Sequence, residues 1–260
     1  GTAIPAFVGF TELGGPVEPV AIQSMDDFER ELGGPPAANS GYVLHSSVAL
    51  YFANGGEHAT IVPVGSYTDA PTTDHFQQGL DALKAADSPT LVLLPDAASA
   101  LSAQNLATVH AAALDHCATM ADRLCILDLA NTDQLDDAVD AFRSSVPLTH
   151  ASFGAAYVPW LDVGGVAIPP SGAVAGVIAQ IDAAEGVWTA PVNVPLMTVV
   201  GTTHAIDEEA QDALTIDAET GVSINAIRTF DDAGPVVWGA RTLAGNDNEW
   251  RYVPVRRLGM

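Results

Sequence analysis

The stretch TLVLLPDAASALSAQNLATVHAAALDHCATMADRLCILDL, residues 90–129, decides the fold class. Its two ends, TLVLL at 90–94 and RLCILDL at 123–129, are short, nearly continuous apolar runs. A strand with one wet face alternates apolar and polar residues, so a run without alternation must be covered on both faces. Between the two runs, residues 102–121 place apolar side chains at helical spacing over a length that a strand does not reach. The same alternation extends outward on both sides. Upstream, ATIVPV at 59–64 reads as a strand and 74–86 as a helix; downstream come a helix at 133–145, a strand ASFGAAYV at 151–158 and a helix at 171–184. The pattern predicts a layered α/β sandwich around a mostly parallel sheet.

The ends of the chain differ in style. AIPAFVGF at 3–10 reads as an opening strand with Pro5 at its edge, followed by a turn at TELGGP. Ser24 is placed to cap a short helix through Glu31, with Asp26 and Asp27 in its first turn and Gly33-Gly34 as its stop. A second helix runs from Tyr42 to Ala53 and ends at Asn54-Gly55-Gly56. Near the other end, VSINAIRTF, GPVVWGART and EWRYVPVRR read as three strands joined by DDAG and AGNDN turns, which predicts a mixed or antiparallel β segment. There is no internal repeat or low-complexity linker, and the change of style falls near residue 216.

Charge excludes whole classes of ligand. Asp plus Glu number 32 against 9 Lys plus Arg, Lys84 is the single lysine, and the net charge is −23. Phosphate backbones and anionic membranes are bound through basic residues, which are scarce here, so neither is expected as a partner. Acidity serves solubility in general. Asp in excess over Glu with almost no lysine points further, to adaptation to molar salt, where the Debye length falls to about 3 Å and self-repulsion nearly vanishes. The charge is also uneven: residues 221–260 carry five arginines against four acids, so the acidity lies in the first 220 residues. The longest apolar runs fall far short of the roughly 20 residues that cross a bilayer, and no leader is visible, which predicts a soluble protein.

Candidate chemistry is thin. Asp96, Asp128 and Asp162 fall at or just past the ends of predicted strands, where α/β enzymes bind ligands, and could hold a magnesium ion; capping and turn roles are the plainer reading. WLDVGGVAIPPSGAVAG at 160–176 leads into a helix N-terminus that could hold an anion, but without a basic residue nearby it reads better as a Pro-Ser-Gly helix start. Neither GxGxxG nor GxxxxGK[ST] occurs, nor GxSxG or HExxH. Cys117 and Cys125 are expected as two buried thiols, and His110 and His116 do not complete a zinc spacing with them. No metal, cofactor or catalytic residue is predicted.

The words GVSINAIR at 221–228, VVWGARTL at 236–243 and WRYVPVRRL at 250–258 resemble the contractile tail sheath family of phages, R-type bacteriocins and extracellular injection systems. PPSGAVAGVIAQIDAAEGVWTAPVNVPL at 169–196 is similar to a family segment, with Thr189 where relatives often carry lysine. TAIPAFVGFTE, SMDDFERELGG and YFANGG resemble the family's opening in the same order, while residues 66–150 match in pattern more than in words.

The resemblance implies a structural subunit and no enzyme. Such a subunit stacks in helical rings around an inner tube, assembles extended, and contracts to drive the tube through a target envelope. Its partners would be neighbouring sheath subunits, the inner tube protein, and baseplate and tail terminator proteins. Its place would be a virion tail or injection particle assembled in the cytoplasm without a signal peptide. The resemblance further implies an α/β body at 1–215 and, at 216–260, the start of the family's C-terminal sheath domain, truncated here together with an N-terminal arm. Without those arms the chain is expected to assemble poorly. Arg241, Arg251, Arg256 and Arg257 are the candidates for subunit or tube contacts, because guanidinium forks pair well with carboxylates at interfaces; pairing with the chain's own acidic body is the alternative. The competing function is an α/β hydrolase or nucleotide-binding enzyme using the strand-end aspartates. A surface-layer protein is a third reading, against which the missing secretion signal counts.

Overall fold

The structure, a computed structural model, describes residues 3–260; Thr2, which opens the TAIPAFVGFTE word, lies outside them. The first half supplies β1 (Pro5–Thr11), β2 (Val20–Ile22), α1 (Met25–Leu32), α2 (Leu44–Ala53), β3 (Ala59–Ser66), α3 (Thr73–Ala82), β4 (Leu91–Leu93), α4 (Pro95–Ala100), α5 (Ala103–Met120) and β5 (Leu124–Asp128). The second half supplies α6 (Leu135–Ser145), β6 (Gly154–Val158), β7 (Leu161–Val163), β8 (Val166–Ile168), α7 (Ser171–Ala184), β9 (Val194–Pro195), β10 (Gly201–Thr202), α8 (Glu208–Thr215), β11 (Asn225–Phe230), β12 (Gly234–Val237) and α9 (Val253–Leu258).

Nine strands form one sheet in the order β2-β3-β1-β4-β5-β6-β11-β12-β9. The interior run from β3 to β11 is parallel throughout. The flanking strands β2, β12 and β9 are antiparallel. A second, three-stranded antiparallel sheet has the order β10-β7-β8. The layered α/β sandwich with a mostly parallel sheet and an antiparallel finish is therefore observed. Residues 216–260 contribute β11 and β12 to the same nine-stranded sheet.

Alternation along the buried strands divides two cores. In β1, Val8 and Phe10 face one side, where they meet Phe76 and Leu80 of α3. Phe7 faces the other, with Phe28 of α1 and Tyr51 of α2. In β5, Cys125 and Leu127 belong to the first core, Leu124 and Ile126 to the second. Each such buried aliphatic or aromatic side chain contributes about 2 kcal/mol. Because successive strand residues point to opposite faces, only a strand apolar at every position serves both layers. Both cysteines are free and buried, as expected.

Helix ends follow the local chemistry. Ser24 accepts from the Asp27 backbone N–H at 3.1 Å and caps α1, and Ser102 does the same for α5 through Asn105 at 3.3 Å. On the second face, α7 lies hard against α2. A Cβ at Gly172 would sit 2.1 Å from the Ser47 carbonyl oxygen, and one at Gly176 2.6 Å from that of Tyr51. The SGAVAG word thus sets a backbone-to-backbone approach that no larger residue permits.

Three expectations are corrected. EWRYVPVRR is not a strand: only an isolated bridge, Arg241 to Tyr252, precedes the helix α9. Pro254 stands in the first turn of α9, where a missing N–H costs nothing and the fixed φ favours a helix, and this outweighs the β-branched residues around it. GPVVWGART shortens to β12, with Trp238 already outside it. The residues after TLVLL, to which the sequence pattern assigns no element, form the helix α4, again with Pro at its start.

Candidate subunit interface

Two of the three strand-end carboxylates are absorbed into the fold. Asp96 is fully buried; its Oδ1 accepts from the backbone N–H of Val43 at 2.6 Å and of Leu44 at 3.0 Å, and its Oδ2 from that of Phe10 at 2.7 Å. It therefore closes the N-terminus of α2 and ties it to β1. Asp128, at the end of β5, accepts from the Ser171 N–H at 2.9 Å and the Ser171 hydroxyl at 2.5 Å, closing the N-terminus of α7. The anion that the Pro-Ser-Gly helix start could hold is the chain's own carboxylate. Burial pushes the Asp96 carboxyl up to about 6 and that of Asp128 to about 7, against the pull of these donors. Asp162 lies in β7 of the small sheet and accepts from Gly165 N–H at 2.7 Å across the hairpin turn. The three do not converge. Among the described residues no cluster of His, Cys, Asp and Glu could hold a metal ion, and no helix is long and apolar enough to cross a membrane.

The crevice outside the carboxyl ends of the parallel strands, the usual ligand position in this architecture, is about 610 Å³ and is lined by loop 35–43, Ser99, Asn131, Trp160 and the β8 strand. No ionisable carboxylate, imidazole, amine or thiol lines it.

The three C-terminal words lock one another. Asn225, 3 % exposed, donates from Nδ2 to the carbonyls of Ala156 in β6 at 3.0 Å and Arg241 at 2.8 Å, and its Oδ1 accepts from the Arg241 N–H at 2.8 Å. A side chain on Gly239 would collide with that Oδ1 at 2.6 Å, which explains glycine in WGAR. Thr242 then reaches the third word, donating its N–H to the Arg251 carbonyl at 3.0 Å and its hydroxyl to that of Trp250 at 2.7 Å.

The four candidate arginines separate into two pairs. Arg257 forms a two-pronged ion pair with Asp182 of α7 at 2.9 and 2.5 Å, both side chains nearly inaccessible. Arg256 is buried with its guanidinium 3.6 Å from the centre of the Phe153 ring and 4.7 Å from that of Trp250. Both anchor α9 within the chain. Arg241 and Arg251 instead flank the half-exposed Tyr252 ring at 5.2 and 5.1 Å, while a buried guanidinium nitrogen lacks a hydrogen-bond partner in Arg241, Arg251 and Arg256 alike. Arg241 and Tyr252 line a cavity of about 440 Å³ with Trp188, Trp238, Pro254 and Val255. Trp188 is 70 % exposed. Sequence reading missed this groove. Its one local signal was a tryptophan in each of two turn-rich words, Gly-Val-Trp and Trp-Gly-Ala-Arg, where a core position is not expected.

Residues 69–243, two thirds of the chain, match the phage tail sheath protein central domain. A search of curated protein sequences finds no match. Among solved structures, a chain of the anti-feeding prophage baseplate is 28 % identical with a TM-score of 0.77, over 99 % of this chain and 66 % of its own length. A chain of an extracellular contractile injection system, the PVC sheath complex in its contracted state, is 29 % identical with a TM-score of 0.73, over 99 % and 65 %. A sheath tail protein from Desulfitobacterium hafniense shares the fold at a TM-score of 0.67 and 10 % identity, over 98 % and 76 %. This chain thus spans about two thirds of the length of the injection-system chains that it matches. The family match over residues 69–243 shows that the chain belongs to the phage tail sheath protein family.

Proposed function

We propose that the chain is a structural subunit of a contractile sheath: it stacks in helical rings around an inner tube and contracts to drive that tube through a target envelope. The observation that carries this reading is the match of 99 % of the chain to a subunit of a contracted injection-system sheath at 29 % identity. Neighbouring sheath subunits and the baseplate are its partners on this reading, and the inner tube and tail terminator follow from the ring geometry. Assembly takes place in the cytoplasm and the finished protein resides in a tail-like particle. On this reading the subunit is a structural element and carries no catalysis. Of the four arginines, Arg241 and Arg251 meet a neighbouring subunit, while Arg256 and Arg257 act on that contact by holding α9 in place.

Electron microscopy of native particles bearing this protein tests the reading. Helical tubes of two lengths and diameters, each enclosing a thinner tube, are expected; particles without a helical outer layer overturn it. Charge reversal at Arg241 and Arg251 in the assembling protein is expected to reduce tube formation, and undiminished tubes exclude those two residues from the contact.

A further inference from the structure

We infer that the aromatic groove beside β12 receives the acidic loop between β1 and β2 of a second copy of this chain, giving a head-to-tail contact that propagates. This rests on the sheath reading and names the surfaces that meet. On the receiving side, Trp188, Trp238, Tyr252 and Val255 are exposed by 70, 37, 40 and 43 % around a cavity of about 440 Å³. Concave aromatic surfaces of this kind carry most of the binding energy at protein contacts. Arg241 lines the cavity beside these rings and, among the described residues, makes no ion pair with the chain's own carboxylates, so its charge is open to an acidic partner.

The occupant follows from charge. With −24 in the first 220 residues and +1 in residues 221–260, a second copy is repelled by most of this surface, and among the described residues the arginines without an ion-pair partner cluster near the groove. The loop at 12–19 combines carboxylates with an exposed apolar anchor: Leu13 is 63 % exposed, and Glu12 and Glu18 are exposed on either side of it. The loop is held in shape by the Leu13 N–H, which donates to the Leu32 carbonyl at 3.0 Å, and by Glu12, which accepts from Gly34 N–H at 2.6 Å. The neighbouring α1 adds the exposed Glu29 and Glu31, and its cation Arg30 is already paired with Asp27 and Glu31.

Loop and groove lie toward opposite edges of the nine-stranded sheet, since the loop leads into β2 at one edge and the groove adjoins β12 near the other. A chain cannot satisfy its own groove, and two copies joined this way leave one groove and one loop free. Such a heterologous contact extends into rings or helices and does not close into a dimer.

The test is a titration of the 15N-labelled chain with unlabelled chain at submillimolar concentration, followed through the indole N–H signals of Trp188 and Trp238. Both are expected to shift with unlabelled wild type. The double variant Leu13→Ser, Glu18→Lys, which spares the Glu12 tie, is expected to bind roughly tenfold more weakly. Labelled Arg241→Glu is expected to lose the response to wild type, while unlabelled Arg241→Glu, whose loop is intact, still shifts labelled wild type. Flat indole signals, or equal shifts with the loop variant, overturn the inference. If native particles show a sheath and the titration is flat, the contact falls and the sheath reading stands. If the titration behaves as stated and no sheath is seen, the contact stands and the sheath reading falls.

Discussion

At the carboxyl ends of the parallel strands, Asp96 and Asp128 are buried and committed to backbone and hydroxyl donors of α2 and α7. Beside β12, Arg241 and Arg251 flank the half-exposed Tyr252 ring and, among the described residues, make no ion pair. The first region is where an α/β enzyme places its chemistry, and here its charges have become fasteners. The second presents exposed aromatic rings around an open cavity. With the docking proposal, the contrast separates two kinds of charged residue: those whose loss is expected to unfold the body and those whose loss is expected to leave it intact but solitary.

The strongest way to test that separation is through Arg257. Its removal strands the Asp182 carboxylate, whose side chain is 4 % exposed, and the loss of an ion partner at such a site costs about 3–5 kcal/mol. Urea unfolding of Arg257→Ala should show a loss of that size; a loss below about 1 kcal/mol would place Arg257 with the docking residues.

Asp96→Ala comes next. It leaves three backbone N–H groups at the start of α2 and on β1 without an acceptor, for a loss of about 3 kcal/mol. Asp96→Asn retains an acceptor and should lose less.

A smaller effect is expected in the pH dependence of Asp128→Asn. The Asp128 carboxyl titrates near 7 when folded, against 3.8 ordinarily, so between about 4 and 7 the folded chain binds more protons than the unfolded one. Stability from this group is present below about 4 and is lost as pH rises through about 7, with a slope of at most about 1.4 kcal/mol per pH unit. The buried His110 and His116, lowered to about 4, act in the opposite sense over part of the same window. The difference between wild type and Asp128→Asn therefore isolates the carboxylate: the variant should lose less stability between pH 5 and pH 7, and parallel curves would show that Asp128 keeps an ordinary pKa.

Arg241→Ala is expected to change unfolding stability by less than about 0.5 kcal/mol, because its side chain supports no buried hydrogen bond, while lowering self-association. A large stability loss would erase the contrast between the two regions. Salt sharpens it in a different way. Raising ionic strength from about 0.1 M to about 1 M shortens the Debye length from about 10 to about 3 Å, and a chain at −23 should melt several degrees higher. An unchanged or lower melting temperature would remove the case for adaptation to brine.

Most of the body was legible because its signals are local and strong. The apolar runs of β4 and β5, the Ser24 cap and the Asn54-Gly55-Gly56 stop each depend on a few neighbouring residues. VPVRRL was misread because β-branched residues favour a strand while Pro254 at a helix start favours the opposite, and the environment chooses: Val253 reaches the second core only from α9. The roles of Asp96 and Asp128 were illegible in detail. Their partners lie 53 and 43 residues away along the chain, and no local pattern distinguishes a catalytic carboxylate from one that closes a distant helix.

The four arginines show the same division. Their number, and their concentration in an otherwise acidic chain, are written in the composition. Whether each faces inward or outward is set by what α9 meets when it docks, Asp182 and Phe153 on one side and the open groove on the other. Fold class, acidity and family words are properties of the chain read in order, since they arise from neighbours and from sums over residues. The clasp of Asn225, the fastening carboxylates and the docking groove exist only in three dimensions, because each is made by residues that the sheet brings together from far apart.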